Sequence, residues 1–132
     1  MTAALILETL ERVSERCADP GPLIYRRLFA LRPDFEALFV MDSDGGVRGS
    51  MLTTCFNAIL GLVEDSPTQR VIISSSRFAH DGYGVAAPDF DLMFVAIRDT
   101  FRELLGEDWT PETGAAWNNL LSEIAIIGAA PE

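Results

Sequence analysis

Lysine is absent from this chain of 132 residues. Its ten arginines are outnumbered by twenty aspartates and glutamates. Without lysine, the chain has no Schiff-base nucleophile and no phosphate-loop lysine. The net charge of −10 disfavours partners of the same sign, because an acidic surface is repelled by nucleic acid and by anionic membranes. We therefore expect neither nucleic acid nor a membrane among the partners of this protein.

Cysteine and histidine are scarce as well. The two cysteines, Cys17 and Cys55, lie far apart in the sequence and form neither a metal-ligand spacing nor a redox motif. Cys55 stands among apolar residues, which predicts a buried, reduced thiol rather than a disulfide. His80 is the only histidine, and without further context a single histidine is more often a surface or hydrogen-bonded residue than a metal ligand.

Long hydrophobic runs are missing too. Apolar runs such as 94–97 and 124–127 are far shorter than a bilayer requires. The N-terminus has no basic stretch ahead of its apolar residues, and Glu8 and Glu11 follow soon after, which argues against a signal peptide. A length of 132 residues suits a single domain, 1–132, and we expect that domain to be cytoplasmic.

Helical periodicity runs through nearly the whole chain. Within 68–80, Val71, Ile72 and Ile73 favour a strand by propensity, but no second alternating run is available to pair with it, so we predict a helix there. The predicted class is all-α, with six or seven helices at 4–17, 23–31, 33–39, 47–64, 68–80, 89–105 and 110–127. Periodicity by itself does not distinguish among the helical bundles that such a chain could form.

Three local strings carry a family resemblance. The first is 24–39, with Tyr25, a Leu-Phe pair, Pro33 and a second Leu-Phe pair that ends at Phe39; the second is 80–85, in which a histidine precedes a Gly-Val corner; the third is 104–117. In this order they resemble the flavohaemoglobins and the bacterial single-domain haemoglobins. The resemblance implies a globin fold, with its helices arranged around a haem b pocket.

The resemblance also implies roles for particular residues. His80 matches the proximal histidine, whose neutral imidazole binds the haem iron. Tyr25 matches the distal tyrosine, which donates a hydrogen bond to a bound diatomic ligand, and Phe39 matches the phenylalanine that packs flat on the porphyrin. Apolar walls are expected from Val85, Met93 and Ile97.

The distal helix departs from the family pattern, which often has Gln or His four residues before a Leu. Counting back from His80 places Arg48 and Leu52 at these positions, with Phe56 continuing the same stripe. Counting forward from Phe39 places Val47 and Met51 there instead. We prefer the first alignment, in which Arg48 reaches the bound ligand, pairs with a haem propionate or extends into solvent.

The proximal side departs as well. Flavohaemoglobins support the proximal histidine with a Tyr–Glu pair, but the tyrosine position here is Phe90, which has no hydroxyl. The matching acid falls at or near Glu132, the last residue. The resemblance therefore implies an ordinary proximal histidine, better suited to binding a gas than to oxidation chemistry.

These observations favour reversible binding of dioxygen or a related diatomic gas such as nitric oxide, with no catalytic residue assigned. Nitric oxide dioxygenation is the enzymatic alternative. It would require a separate reductase, because the sequence contains no flavin or nicotinamide domain. A haem-free globin-fold sensor or interaction module is a further alternative. The sequence leaves open whether the protein is a monomer or a homodimer.

Overall fold

A computed structural model describes residues 2–39, 41–82 and 87–127, and every regular element within these ranges is helical. The six α-helices are α1 (Thr2–Arg16), α2 (Gly21–Leu31), α3 (Gly46–Val63), α4 (Pro67–Gly82), α5 (Ala87–Leu105) and α6 (Pro111–Ile126). Two 3₁₀ segments, Pro33–Phe39 and Gly106–Asp108, follow α2 and α5. The predicted all-α class is confirmed, and the segment 68–80 is helical as expected.

The helix boundaries follow from local chemistry. Pro22 lies in the first turn of α2, where its missing N–H costs no hydrogen bond. Gly45 precedes α3 with a backbone φ of 75°, a conformation that residues other than glycine rarely adopt. Thr110 caps α6 by accepting a hydrogen bond from the backbone N–H of Thr113 at 3.1 Å.

Helix α5 is central and packs against α1, α2, α4 and α6. Trp117 of α6 is fully buried, and its ring meets that of Phe101 edge-on at 5.7 Å. The indole Nε1–H donates to the Thr9 hydroxyl of α1 at 3.1 Å, which satisfies the only polar atom of that side chain. These contacts form one half of the core, and the candidate site lies in the other half, where α2, α3 and α4 meet α5.

Helices α3 and α4 approach each other closely at Gly61. A Cβ at this position would lie 2.0 Å from Cγ of Gln69, so glycine is needed for the two backbones to come this near. This approach fixes the position of α4, which carries His80, relative to α3.

Helix α3 is more apolar as a whole than its short uninterrupted apolar runs indicated. Its 18 residues are long and apolar enough to cross a membrane by length and composition. A single helix of this kind is weak evidence for a membrane span, and α3, of which 28% is buried, packs against α1, α2 and α4.

Candidate functional site

A cavity of about 240 Å³ lies between α2, the first 3₁₀ segment, α3, α4 and α5, and we call it the His80 cavity. Its described lining is mainly apolar and consists of Leu28, Phe35, Leu38, Phe39, Ser50, Met51, Thr54, Cys55, Ala58, Ile72, Ile73, Ser76, His80, Asp89, Phe90, Met93 and Phe94. Apolar walls with a few polar groups are typical of pockets that hold a small molecule or a cofactor.

His80 lies in the last turn of α4, and its ring is held by two contacts. Nδ1 is 2.7 Å from the carbonyl oxygen of Ser76, one turn earlier on the same helix. Because a carbonyl can only accept, Nδ1 must carry the proton, and in the neutral ring Nε2 keeps its lone pair. The ring also meets Phe90 edge-on, with centroids 5.1 Å apart. This is the tautomer and the kind of support that metal-binding histidines have in proteins.

The α3 wall of the His80 cavity is formed by one stripe of the helix. Met51, Cys55 and Ala58 follow each other at helical spacing, with Ser50 and Thr54 beside them. The Thr54 hydroxyl donates to the Ser50 carbonyl at 3.1 Å, so its proton is already used. Burial raises the pKa of the Cys55 thiol to about 12, which keeps it protonated at neutral pH.

A second cavity of about 730 Å³, which we call the Tyr25 cavity, lies where α2 meets the beginning of α3. Tyr25, Arg48 and Leu52 are among its lining residues. The Tyr25 hydroxyl donates to the carbonyl oxygen of Arg48 at 2.9 Å, and burial raises its pKa above the ordinary value. Its ring packs edge-on against Phe39, at 5.6 Å, and Phe39 lines the His80 cavity. Tyr25 and Phe39 therefore stand between the two cavities.

Asp42 holds the beginning of α3 in place. Its buried carboxylate accepts hydrogen bonds from the backbone N–H groups of Val47 at 2.9 Å and Arg48 at 3.0 Å. The Arg48 guanidinium donates to the same carboxylate and to the Asp42 carbonyl, both at 3.0 Å. The bond from Val47 is the main cause of the lowered pKa of Asp42, and those from Arg48 add to it. Arg48 is thus tied to Asp42 at the edge of the Tyr25 cavity.

The structure divides the residues singled out from the sequence. His80, Phe39 and Met93 line the His80 cavity, whereas Tyr25, Arg48 and Leu52 line the Tyr25 cavity. Neither Phe56 nor Ile97 is among the described lining residues of either cavity. Phe56 stacks on Phe101 at 6.2 Å, and Ile97 is fully buried in the core.

The two alignments of the distal helix are also separated. Met51 of the second alignment lines the His80 cavity, while Leu52 of the preferred alignment faces the other cavity. Val47 is 55% exposed. Val85 and Glu132 lie outside the described residues.

Two groups near the site were missed from the sequence. Asp42 stands in a loop of turn-forming residues ahead of a helix, a pattern in which a carboxylate often accepts from the first helical N–H groups. Arg77 is 4% exposed, and its guanidinium lies over the Phe90 ring. No local signal marks Arg77, because the partners that the structure describes for it come from α5 and the end of α6.

Comparison with known families identifies this arrangement. The family described as Globin matches residues 23–127, a range that includes His80 and all the described lining residues of the His80 cavity. The chain is a globin. The predicted globin fold is therefore confirmed.

Two curated relatives of this globin come from plants. It is 27% identical over 135 residues to a protein named Leghemoglobin-1 from Vicia faba, covering 96% of this chain and 90% of that protein. It is 23% identical over 137 residues to a protein named Anaerobic nitrite reductase HBII from Casuarina glauca, covering 92% and 84%. These relatives support the family but not the narrower likeness to bacterial or flavohaemoglobin-type globins.

The residues of the His80 cavity fit a haem group. A neutral imidazole with a free Nε2 is a suitable iron ligand, and the aromatic and aliphatic lining suits a porphyrin. No arginine is among the lining residues in the part of the chain that the structure describes. Arg32 stands behind two of them, paired with Asp89 at 2.6 Å and stacked over Phe35 at 4.4 Å.

Proposed function

We propose that this globin holds haem b in the His80 cavity and reversibly binds dioxygen or a related diatomic gas such as nitric oxide. The observation that carries the proposal is the His80–Ser76 hydrogen bond, which leaves Nε2 available in an otherwise apolar cavity. Bound haem would supply an iron with an open coordination position. The family match and the relative named as a leghemoglobin support this function.

In this proposal, His80 is the iron ligand, and Phe39, Met93 and Phe94 contact the porphyrin and keep water from its faces. Arg32 would leave Asp89 to meet a propionate, exchanging one carboxylate partner for another. Met51 and Cys55 would form the wall nearest the gas on the α3 side, which favours the second alignment of the distal helix.

The proposed gas site is therefore poor in hydrogen-bond donors. The Tyr25 hydroxyl would have to leave the Arg48 carbonyl before it could reach a ligand in the His80 cavity. The Thr54 hydroxyl is engaged, and a thiol is a weak donor. A gas held without a donor dissociates more quickly, so we expect a binding protein that releases its ligand readily.

Within the globins, we propose a protein of the bacterial single-domain type in the cytoplasm, on the strength of the strings around Tyr25, His80 and Trp109. Nitric oxide dioxygenation with a separate reductase ranks below gas binding. Phe90 meets His80 through its ring alone and cannot supply the hydrogen bond of the flavohaemoglobin tyrosine.

The experiment is reconstitution of the purified protein with haem. We expect an intense absorption band near roughly 400 nm, and a shift of this band when carbon monoxide is added to the reduced protein. His80→Ala should lose the band, and added imidazole should restore it by filling the space of the missing ring. Ser75→Ala, an exposed position on the same helix, is the control.

Two outcomes contradict the proposal. If the folded wild-type protein gives no band, it is a haem-free globin, and a sensor or interaction module is the better description. If His80→Ala keeps an unchanged band, another residue binds the iron.

A further inference from the structure

Arg77 is a buried cation one turn before His80 on α4. Its guanidinium donates to the carbonyl oxygens of Ile124 at 2.6 Å and Ile127 at 2.9 Å, at the C-terminal end of α6. It also pairs with Asp91 of α5 at 2.8 Å. A positive charge is favoured at a helix C-terminus, and these three groups compensate the burial of the guanidinium. Arg77 therefore joins three helices at one point.

The same guanidinium lies over the ring of Phe90, with its central carbon 4.8 Å from the ring centroid. Phe90 in turn meets the His80 ring at 5.1 Å and an angle of 70°. A continuous line of contacts thus leads from the end of α6 through Arg77 and Phe90 to the imidazole. The contacts lie within the range of cation–π and aromatic edge-to-face interactions.

The geometry gives Phe90 a specific task. The Ser76 carbonyl fixes the direction of Nδ1–H, but one hydrogen bond does not fix the tilt of the ring about that bond. The Phe90 ring supplies the second constraint. Phe90 has no polar atom that could hold it in place by hydrogen bonding, and it is only partly buried. Its orientation therefore depends on the groups packed on its face, one of which is the rigid planar guanidinium of Arg77.

We propose that Arg77 is a positioning residue for His80, which it orients through Phe90. The guanidinium holds the Phe90 ring, and the ring holds the tilt of the imidazole. This inference rests on the proposed role of His80 as the iron ligand, but the orientation of the ring can be measured in the haem-free protein, where failure of haem binding has no influence.

The test uses the fact that His80 is the only histidine, so the imidazole signals in an NMR spectrum belong to it without further assignment. In the haem-free wild-type protein we expect one set of ring signals, with the Nδ1–H tautomer and a ring-current shift from Phe90. Arg77→Met keeps the buried stem and removes the guanidinium. It should reduce the ring-current shift and broaden the ring signals.

Arg77→Lys keeps the positive charge and is therefore less disruptive to the fold than Arg77→Met. Its ammonium group, however, lacks the planar face that lies over the Phe90 ring. We expect a change in the same direction and of smaller size. The matched control is Arg70→Met, since Arg70 also links α4 to α6, through Glu123 at 3.2 Å, and among the described residues it makes no contact with the Phe90 ring. This control should leave the His80 signals where they are.

A double-mutant comparison tests the route. In a Phe90→Leu protein, Arg77→Lys should have no further effect on the His80 ring signals. In the haem-loaded reduced protein, Arg77→Lys should shift the iron–histidine stretching band, and Arg70→Met should not. The proposal is overturned if folded Arg77→Lys protein has wild-type His80 signals, or if its effect persists unchanged without Phe90.

Discussion

The two cavities share α2 and α3 as walls but differ in how their polar groups are engaged. In the His80 cavity, the imidazole uses one nitrogen on the Ser76 carbonyl and keeps the other available. In the Tyr25 cavity, the tyrosine hydroxyl and the Arg48 guanidinium are both satisfied by the protein itself. His80 therefore has a nitrogen available for binding, whereas the Tyr25 hydroxyl and the Arg48 guanidinium join α2, α3 and the loop at Asp42.

The two cavities lie on different faces of α3, and residues that are neighbours in the sequence line different cavities. Successive residues of an α-helix are rotated by about 100°, so Met51 and Leu52 face different neighbours. Met51 and Cys55 point to the His80 cavity, and Arg48 and Leu52 to the other. A one-residue choice in an alignment decides which side chains are placed beside a bound gas.

The largest expected effect concerns Cys55, in the α3 wall of the His80 cavity. Burial raises its pKa from 9.0 to about 12, and because each pKa unit is a factor of ten, the thiolate fraction at mildly alkaline pH falls about a thousandfold. In the folded Cys17→Ser protein, iodoacetamide should therefore alkylate Cys55 more slowly than in the same protein in denaturant, by a factor approaching a thousand. The contribution of the protonated Cys55 thiol to the free energy of unfolding is therefore full below pH 9.0. It is lost as the pH rises toward about 12, because the unfolded chain ionises first. Alkylation at the rate measured in denaturant would contradict the raised pKa of this thiol.

A smaller effect tests the register of α3. Met51→Gln introduces an amide donor into the wall of the His80 cavity, and a hydrogen bond worth about 1 kcal/mol should slow gas dissociation roughly fivefold. Arg48→Gln introduces the same amide beside the Tyr25 cavity and should leave the dissociation rate unchanged. Flash photolysis and stopped-flow mixing measure both rates. If Arg48→Gln slows release and Met51→Gln does not, the alignment preferred from the sequence is the better one.

The smallest effect on the gas is expected from Tyr25→Phe. The lost hydrogen bond to the Arg48 carbonyl should lower the free energy of unfolding by about 1 kcal/mol, as measured by denaturant titration. The gas dissociation rate should hardly change, because the hydroxyl is turned toward α3. A large increase in that rate would show that Tyr25 reaches the ligand after all and would remove the distinction between the two cavities.

Much of the fold could be predicted because its signals are local. The apolar spacing of α5, the Thr110-Pro111 start of α6 and the turn residues before α3 each act over a few residues. The predicted ends differ from the observed ones by a few residues at most. Even 68–80, with the consecutive β-branched residues Val71, Ile72 and Ile73, is a helix, since packing against α3 and α5 outweighs a weak propensity.

The site was less predictable, because it depends on contacts between distant residues. His80 and Phe39 could be found from their neighbours in the sequence, but the hydrogen bond of Tyr25 to Arg48 joins α2 to α3. Arg77 had no signal, since its partners among the described residues come from α5 and α6, far away in the sequence. Ile97, which was expected at the haem, is fully buried in α5, and its contact with haem stays a prediction.

Residue types and short-range spacing were enough to predict the helical class, the order of the helices and the one imidazole that could bind a metal. The face of α3 that meets His80, the direction of the Tyr25 hydroxyl and the support of Phe90 became apparent from the packed helices alone. These features depend on the rotation of each helix about its axis, which is fixed by close packing across the whole core, as at Gly61 and Gln69.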